Sequence, residues 1–519
     1  MPPHLASMLF NSYVFIFAYL PIVLMGFYLA GRYSHQWASW WLATASLFFY
    51  GWWDARFVGL LLASIAFNYG AGYLIALWAA RDKRQQKWLL GLAITVDLAL
   101  LAYFKYANFF VENLATVMGE RLSIGEVLLP LGISFYTFTQ IAFLVDTYQG
   151  KVKEFRLVHY TLFITYFPHL IAGPVLHHKE MMPQFAQPAT CKLNWDNMAA
   201  GLVIFLLGLG KKVLIADALA QYAIPVFQAV SQGHQPMFFE AWIGALAYTL
   251  QLYFDFSAYS DMAIGISLLF NVQLPLNFNS PYKSTSIIDF WRCWHMTLSR
   301  FLRDYLYIPL GGNQSGNARR YLNLMITMLL GGLWHGAGWT FVIWGGLHGA
   351  YLLINHAWRT LQAKLQRPPS GRFWTLAAGL LTFTSVVVGW VFFRADSVQS
   401  AIIMLEGMSG LHGVAFAPQW GEGWLSSTLM ALGGKFTGVT PLTGLNASQA
   451  FNTILLGLLI VFCLPNTRQI VQSPPTERQG LLRLLHLRLS GLHAALLIGL
   501  AYAVLTHLHR PSEFLYFQF

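Results

Sequence analysis

Two histidines stand in stretches where an imidazole is costly. His335 lies in the apolar, glycine-rich run Leu330–Gly349, LGGLWHGAGWTFVIWGGLHG. His295 lies about forty residues upstream in Asp289–Asn313, DFWRCWHMTLSRFLRDYLYIPLGGN. An imidazole in such apolar sequence is expensive unless it is paired or lines a wet cavity. Either histidine alone is accounted for by a core side chain hydrogen-bonded to a backbone carbonyl. Two of them, each in unusual sequence, point to chemistry. A histidine titrates near neutral pH, so it can take a proton from an attacking hydroxyl and return it to a leaving group. Among low-dielectric helices that chemistry suits acyl transfer from a thioester.

The surroundings of His295 support a site with a charged substrate. Asp289, Arg292, His295, Ser299 and Arg303 fall at i, i+3, i+6, i+10 and i+14, close to one stripe of a helix. Trp291, Trp294, Leu298, Phe301 and Leu302 cover the rest. The spacing predicts one amphipathic helix, and an interfacial helix on the cytoplasmic surface is the plain alternative reading. Pro309 and Gly311–Gly312 end it in a turn. Arg300, Arg303, Arg319 and Arg320 suit a phosphate-bearing donor such as a coenzyme A ester. Ser299, Trp334, Asn313 and Asp255 complete the set of candidate donor-binding residues. No Gly-rich phosphate loop, no H-E-x-x-H zinc motif and no G-x-S-x-G elbow is present, and no metal site is expected.

The elements that must position these residues are membrane helices. Of 519 residues, 56% are hydrophobic and only 10% charged, with a mean hydropathy of +0.51. A soluble domain carries about 25% charged residues. Apolar runs of roughly 17 to 25 residues recur along the chain, as spanning helices require. The ten-residue alternation of a β-barrel is missing. The fold class is therefore an all-α polytopic membrane protein. The net charge of +11 and pI near 9.4 come from basic loops between apolar runs, the positive-inside pattern. No basic stripe with interleaved aromatics indicates nucleic acid. Cys191, Cys293 and Cys463 are too scattered for a disulfide framework or a metal knuckle.

Spans are expected near 12–30, 38–54, 57–80, 87–104 and 127–146. The first lacks a basic leader and a cleavage site, and so reads as a retained helix rather than a signal peptide. Arg81–Lys87, with four positive charges, is expected inside. The stretch 105–126, with two positive and three negative residues, is expected to be an outer loop. Arg359–Arg372 is basic and inside; Ala395–Ala450, with one Lys against Asp396, Glu406 and Glu422, suits the outer face. A last span near 489–507 leaves both termini outside. The middle is irregular. His169–Pro174, flanked by Pro168 and by His177 and His178, suggests a re-entrant or broken helix. Lys211 and Lys212 interrupt Gly201–Phe227, which predicts either a tilted span with snorkelling lysines or two shorter pieces. Asp255 and Asp261 also interrupt apolar sequence; carboxylates there mark a wet interior or a hydrogen-bonded structural role. No repeat or linker divides the chain, so residues 1–519 are expected to form a single membrane-embedded domain.

The two histidine stretches, with FFYGWW at Phe48–Trp53, PLGISFYTF at Pro130–Phe138, FPHLIAGPVL at Phe167–Leu176 and the closing FLYFQF at Phe514–Phe519, resemble the membrane-bound O-acyltransferases. Within that family the chain looks most like the branch that acetylates bacterial exopolysaccharides such as alginate. The most specific string is W-H-x-x-L-S-R-x-x-R-D-Y-L-Y-I-P-L-G-G-N, Trp294–Asn313. The resemblance spans nearly the whole chain, with its core at about 100–360. It implies that His335 is the catalytic histidine and His295 the second active-site position. It also implies a helical bundle around a transmembrane funnel or tunnel, with re-entrant and amphipathic helices. No cofactor is tightly bound in that picture; acetyl-CoA is the donor substrate, presented from the cytoplasm across the bacterial inner membrane. Periplasmic acetyltransferase or exopolysaccharide-modifying proteins are the implied partners, and the polysaccharide is the final acceptor.

Two other classes compete. A transporter or flippase would also place histidines, arginines and carboxylates at mid-membrane, but it should show paired repeats with matching broken helices, which this chain lacks. A scaffold subunit of a polysaccharide secretion complex would not need His335 chemically. A polysaccharide synthase would need a sizeable soluble nucleotide-sugar domain, and the sequence has none.

Overall fold

Helix boundaries in the computed structural model follow from local capping. The structure describes residues 8–119, 125, 127–171, 173–314, 316–365, 371–416, 418, 426–431, 434–472, 490–509 and 515. Ser34 closes α1 (Leu20–Tyr33) and starts α2 (His35–Trp53), its side chain accepting from the Gln36 amide at 3.2 Å. Then come α3 (Val58–Trp78) and α4 (Lys83–Met118). Asp82 caps α4 through the Arg84 amide at 2.7 Å, and Gly119, at φ 69°, ends it. The expected outer loop 105–126 is thereby corrected: α4 continues through Lys105 and Glu112 to Met118. No Gly or Pro interrupts that stretch, and a few charges do not stop a helix.

The chain falls into two units, each assembled from separate segments. The first comprises Met1–Leu209, Ala258–Asn277 and Leu489–Arg510. Beyond α4 it contains α5 (Ile133–Tyr148), α6 (Leu157–Thr165), α7 (Phe167–Leu170) and α8 (His178–Phe185). The short α6 and α7, with Pro168 opening the latter, are the broken helix expected there. His169 lies wholly inside it, with Nε2 on the Phe163 carbonyl at 3.0 Å. A polar cluster lies within the largely apolar interior of this unit: Asn68 donates to Asp97 at 2.8 Å and Ser64 to Gln140 at 2.8 Å.

The second unit comprises Gly210–Ser257, Phe278–Arg488 and Pro511–Phe519. After α9 (Trp195–Gly210), a π-helical turn over Lys211–Ala216 leads into α10 (Asp217–Ser231). The result is one continuous 37-residue run. Neither the snorkelling nor the two-piece expectation holds for its lysines. Lys212 is 2% exposed and lies 2.7 Å from both Asp217 and Asp255, while Lys211 donates to Ser257 at 3.0 Å. Neutralising neighbours make burial cheaper than reaching for water. Next come α11 (Phe238–Leu269), whose residues up to Ser257 belong to this unit, then α12 (Ile287–Cys293), α13 (Met296–Leu302), α14 (Gly316–His335), α15 (Trp339–Lys364) and α16 (Arg372–Arg394).

α14 and α15 form an antiparallel hairpin joined at Gly336–Gly338. A Cβ on Gly332 would sit 2.2 Å from the Phe341 carbonyl oxygen, and one on Gly345 would sit 2.3 Å from that of Met328. The two backbones touch because glycine is there. Ala395–Ala450, expected as an outer segment, holds the helix Val398–Met408 and a parallel pairing of Val414–Ala415 with Gly434–Lys435. Five helical runs are long and apolar enough to cross a membrane among the described residues: Phe15–Tyr33, Ala55–Trp78, Lys83–Met118, Trp195–Ser231 and Arg372–Arg394. The protein is a polytopic helical membrane protein.

Candidate active site

His335 is the last residue of α14, where the hairpin turns, and is 7% exposed. Aromatic rings enclose it. Trp334 lies at 4.9 Å between centroids, Trp344 of α15 at 5.2 Å and Phe393 of α16 at 5.2 Å, each steeply inclined to the imidazole. His295 is also in reach, its ring centroid 6.5 Å from that of His335. The second unit therefore brings together the two histidines that the sequence singled out.

His295 arrives by a backbone device that its sequence pattern hides. The expected single helix through Asp289–Arg303 is corrected. α12 ends at Cys293, Trp294 is extended, and His295 takes the left-handed conformation at φ 43°, ψ 53° before α13 begins. The Cys293 carbonyl, which an uninterrupted helix would give to residue 297, accepts instead from the Asn279 amide at 2.9 Å. The break turns the imidazole inward, where it is 1% exposed. It stands edge-on to Phe256 at 4.8 Å, with Phe278 at 6.5 Å and Trp334 at 6.4 Å. Burial pushes its pKa down to about 3, so it is neutral at neutral pH. Histidine is one of the few residues besides glycine that visit this backbone region, and strain of this kind gathers at functional sites.

The remaining candidates divide. Trp334 is buried against both histidines. Ser299 and Arg300 lie half-buried on α13, just after His295, with the Ser299 hydroxyl 3.4 Å from the Trp294 carbonyl. Arg303 begins a π-helical turn (Arg303–Tyr307) and is exposed, paired with Asp304 at 2.7 Å. Asn313 is exposed in the turn that follows, where its side chain accepts from the Tyr307 hydroxyl. Asp255 is occupied elsewhere, between Lys212 and the Leu515 amide, which donates to it at 3.1 Å. Sequence reasoning missed Phe256, Phe278 and Phe393, which distant segments supply, and it missed His348. The one available signal for His348 was its place in the same glycine-rich stretch as His335.

An enclosed imidazole at a helix end, with a neutral imidazole beside it and aromatic walls, can move a proton to and from a substrate oxygen or sulfur while excluding water. Comparison with known proteins identifies the family. The sequence profile of the membrane-bound O-acyltransferase family matches residues 23–394. The chain is 41% identical over 503 residues to the peptidoglycan O-acetyltransferase of Helicobacter pylori, covering 90% of this chain and 91% of that protein. It is 46% identical over 408 residues to the probable alginate O-acetylase AlgI of Azotobacter vinelandii, covering 77% and 78%. It is 27% identical over 336 residues to the teichoic acid D-alanyltransferase of Streptococcus thermophilus, covering 60% and 77%. This chain belongs to the membrane-bound O-acyltransferase family and is a membrane-embedded O-acyltransferase.

Proposed function

We propose that the protein takes an acetyl group from acetyl-CoA on the cytoplasmic side of the bacterial inner membrane and passes it outward for O-acetylation of an envelope glycan. The glycan is an exopolysaccharide of the alginate type, reached through periplasmic partner proteins. The observation that carries this reading is the meeting of His335 and His295, 6.5 Å apart, inside an aromatic enclosure. In the step we assign to the site, His335 takes the proton of the acceptor hydroxyl as its oxygen attacks the thioester carbonyl carbon. The carbon–sulfur bond then breaks, and the imidazolium returns the proton to the departing thiolate. Products are an O-acetyl ester and a free thiol, with no redox change. The imidazolium that exists between the two transfers sits at the C-terminal end of α14, where the helix dipole is negative. His295, neutral through burial, serves as a hydrogen-bonding partner for the reacting groups rather than as a charge.

A second acceptor is favoured by one specific finding. The match to the peptidoglycan O-acetyltransferase covers 90% of this chain, against 77% for the alginate O-acetylase. Deleting the gene and measuring ester-linked acetyl on exopolysaccharide and on peptidoglycan separates the two. Loss from exopolysaccharide alone is the expected result. Loss from peptidoglycan alone replaces the first acceptor with the second, and no loss from either overturns glycan acetylation.

A further inference from the structure

α15 carries polar groups that the transfer step leaves unused. His348 is 0% exposed, and neither ring nitrogen has a hydrogen-bond partner among the described residues. Rings surround it instead: Trp344 at 4.9 Å, Trp291 at 5.3 Å, Tyr351 at 5.6 Å, Trp390 at 6.1 Å and Phe290 at 6.2 Å. A phenyl ring would fill that space without burying two unsatisfied nitrogens, so packing alone does not explain a histidine. Two turns on, at i+7, the amide oxygen of Asn355 is buried and likewise unpartnered. Helical spacing puts Trp344, His348, Tyr351, Asn355 and Arg359 along one face of α15.

That face runs from the histidine site to a cluster of cations. Arg320 donates to His356 Nδ1 at 2.9 Å, and Arg359 donates to Ser286 at 3.2 Å. The carboxylate paired within this group is Asp289, 3.5 Å from Arg359 and 3.3 Å from Arg292. Burial, and the charges of Arg320 and Arg359, hold the His356 imidazole below its ordinary pKa. One carboxylate among three guanidiniums leaves this end of the hairpin positive and suited to phosphate. From Trp344 to Arg359 the helix rises about 22 Å at ~1.5 Å per residue. That is of the order of an extended pantetheine arm.

We infer that this face of α15 seats the arm of the acyl donor, with phosphate held by Arg320 and Arg359 and the arm's amides bonded to Asn355 and His348. The inference rests on the reading above that the donor is a coenzyme A thioester. An amide offers one N–H and one carbonyl oxygen. The Asn355 oxygen accepts the former, and a neutral imidazole presents one donor and one acceptor. Trp291 and Tyr351, the half-buried rings of the cage, mark the side from which the arm enters.

The test uses the full chain in nanodiscs with three donors: acetyl-CoA, S-acetyl-pantetheine, which lacks the phosphates, and the short S-acetyl-N-acetylcysteamine. Arg320→Ala should raise KM for acetyl-CoA roughly tenfold, the loss of one charge-assisted contact, and leave KM for S-acetyl-pantetheine unchanged. Arg320→Lys should recover part of the difference. His348→Phe should raise the thermal midpoint, because two unsatisfied nitrogens are gone, yet raise KM for both acetyl-CoA and S-acetyl-pantetheine. Wild-type KM values in His348→Phe, or an Arg320→Ala effect equal for all donors, overturn the assignment while leaving the donor reading intact. A wild-type protein that cleaves none of the three thioesters overturns both.

Discussion

His295 is held at φ 43°, a backbone conformation that costs an ordinary L-residue about 1–2 kcal/mol. Glycine adopts it freely. His295→Gly should therefore keep most of its thermal stability while losing transfer activity, and a variant as active as wild type would reduce His295 to a backbone device. Burial has a second consequence. With its folded value lowered from 6.5 to about 3, the unfolded chain binds the proton more readily than the folded one. The stability this residue contributes is then complete above about pH 6.5 and is lost as pH falls toward 3. The thermal midpoint of His295→Gln should fall less on acidification from pH 6.5 to 4.5 than that of wild type. Parallel curves would contradict the assignment of that acid sensitivity to His295. His335 was legible in the sequence, because an imidazole among glycines and tryptophans has few inexpensive explanations. The left-handed turn at His295 was not. Cys293–Thr297 holds no Gly or Pro, the polar stripe runs straight through, and the break depends on the Asn279 amide, a tertiary contact.

The α14–α15 hairpin sets the position of His335, and its rigidity rests on backbone contact at Gly332 and Gly345. Gly345→Ala would push a methyl group to 2.3 Å from the Met328 carbonyl oxygen. It should cost about 1–3 kcal/mol, as overpacking does, and lower activity as Trp344 moves relative to His335. An unchanged thermal midpoint would show that the hairpin yields without strain. The glycines in that stretch pointed to close helix packing, and the hairpin delivers that packing. The lysine pair misled for an equally physical reason. Snorkelling is the default for a lone lysine in an apolar run, and sequence spacing cannot reveal that Asp255, some forty residues on, comes within 2.7 Å of Lys212. Lys212→Met leaves Asp217 and Asp255 buried without their cation. It should destabilise by about 3–5 kcal/mol, with part recovered by adding Asp255→Asn. Equal midpoints for wild type and Lys212→Met would mean that the pair holds nothing together.

At the scale of the whole molecule, composition alone fixed the class. A chain with 10% charged residues and recurrent apolar runs reads as a membrane protein, and the structure has five helical runs among the described residues that can span a bilayer. Element lengths were less legible, as α4 shows by running past its expected end to Met118. Charge asymmetry reports sidedness and is silent on where a helix stops. Sidedness remains a prediction from the basic loops. With Cys191, Cys293 and Cys463 replaced by serine, Gln85→Cys, within the first basic stretch Arg81–Lys87, should react with a membrane-impermeant maleimide in inverted vesicles and not in intact spheroplasts. The opposite pattern would reverse the topology and with it the side from which the donor enters. The central claim is that His335 performs acyl transfer from a thioester. It is tested most directly by single-turnover cleavage of radiolabelled acetyl-CoA by the purified protein in nanodiscs, comparing wild type with His335→Ala. A loss of roughly 100-fold or more, the scale of general acid–base catalysis, with unchanged chromatographic behaviour is the predicted result. Cleavage by His335→Ala at the wild-type rate would contradict it.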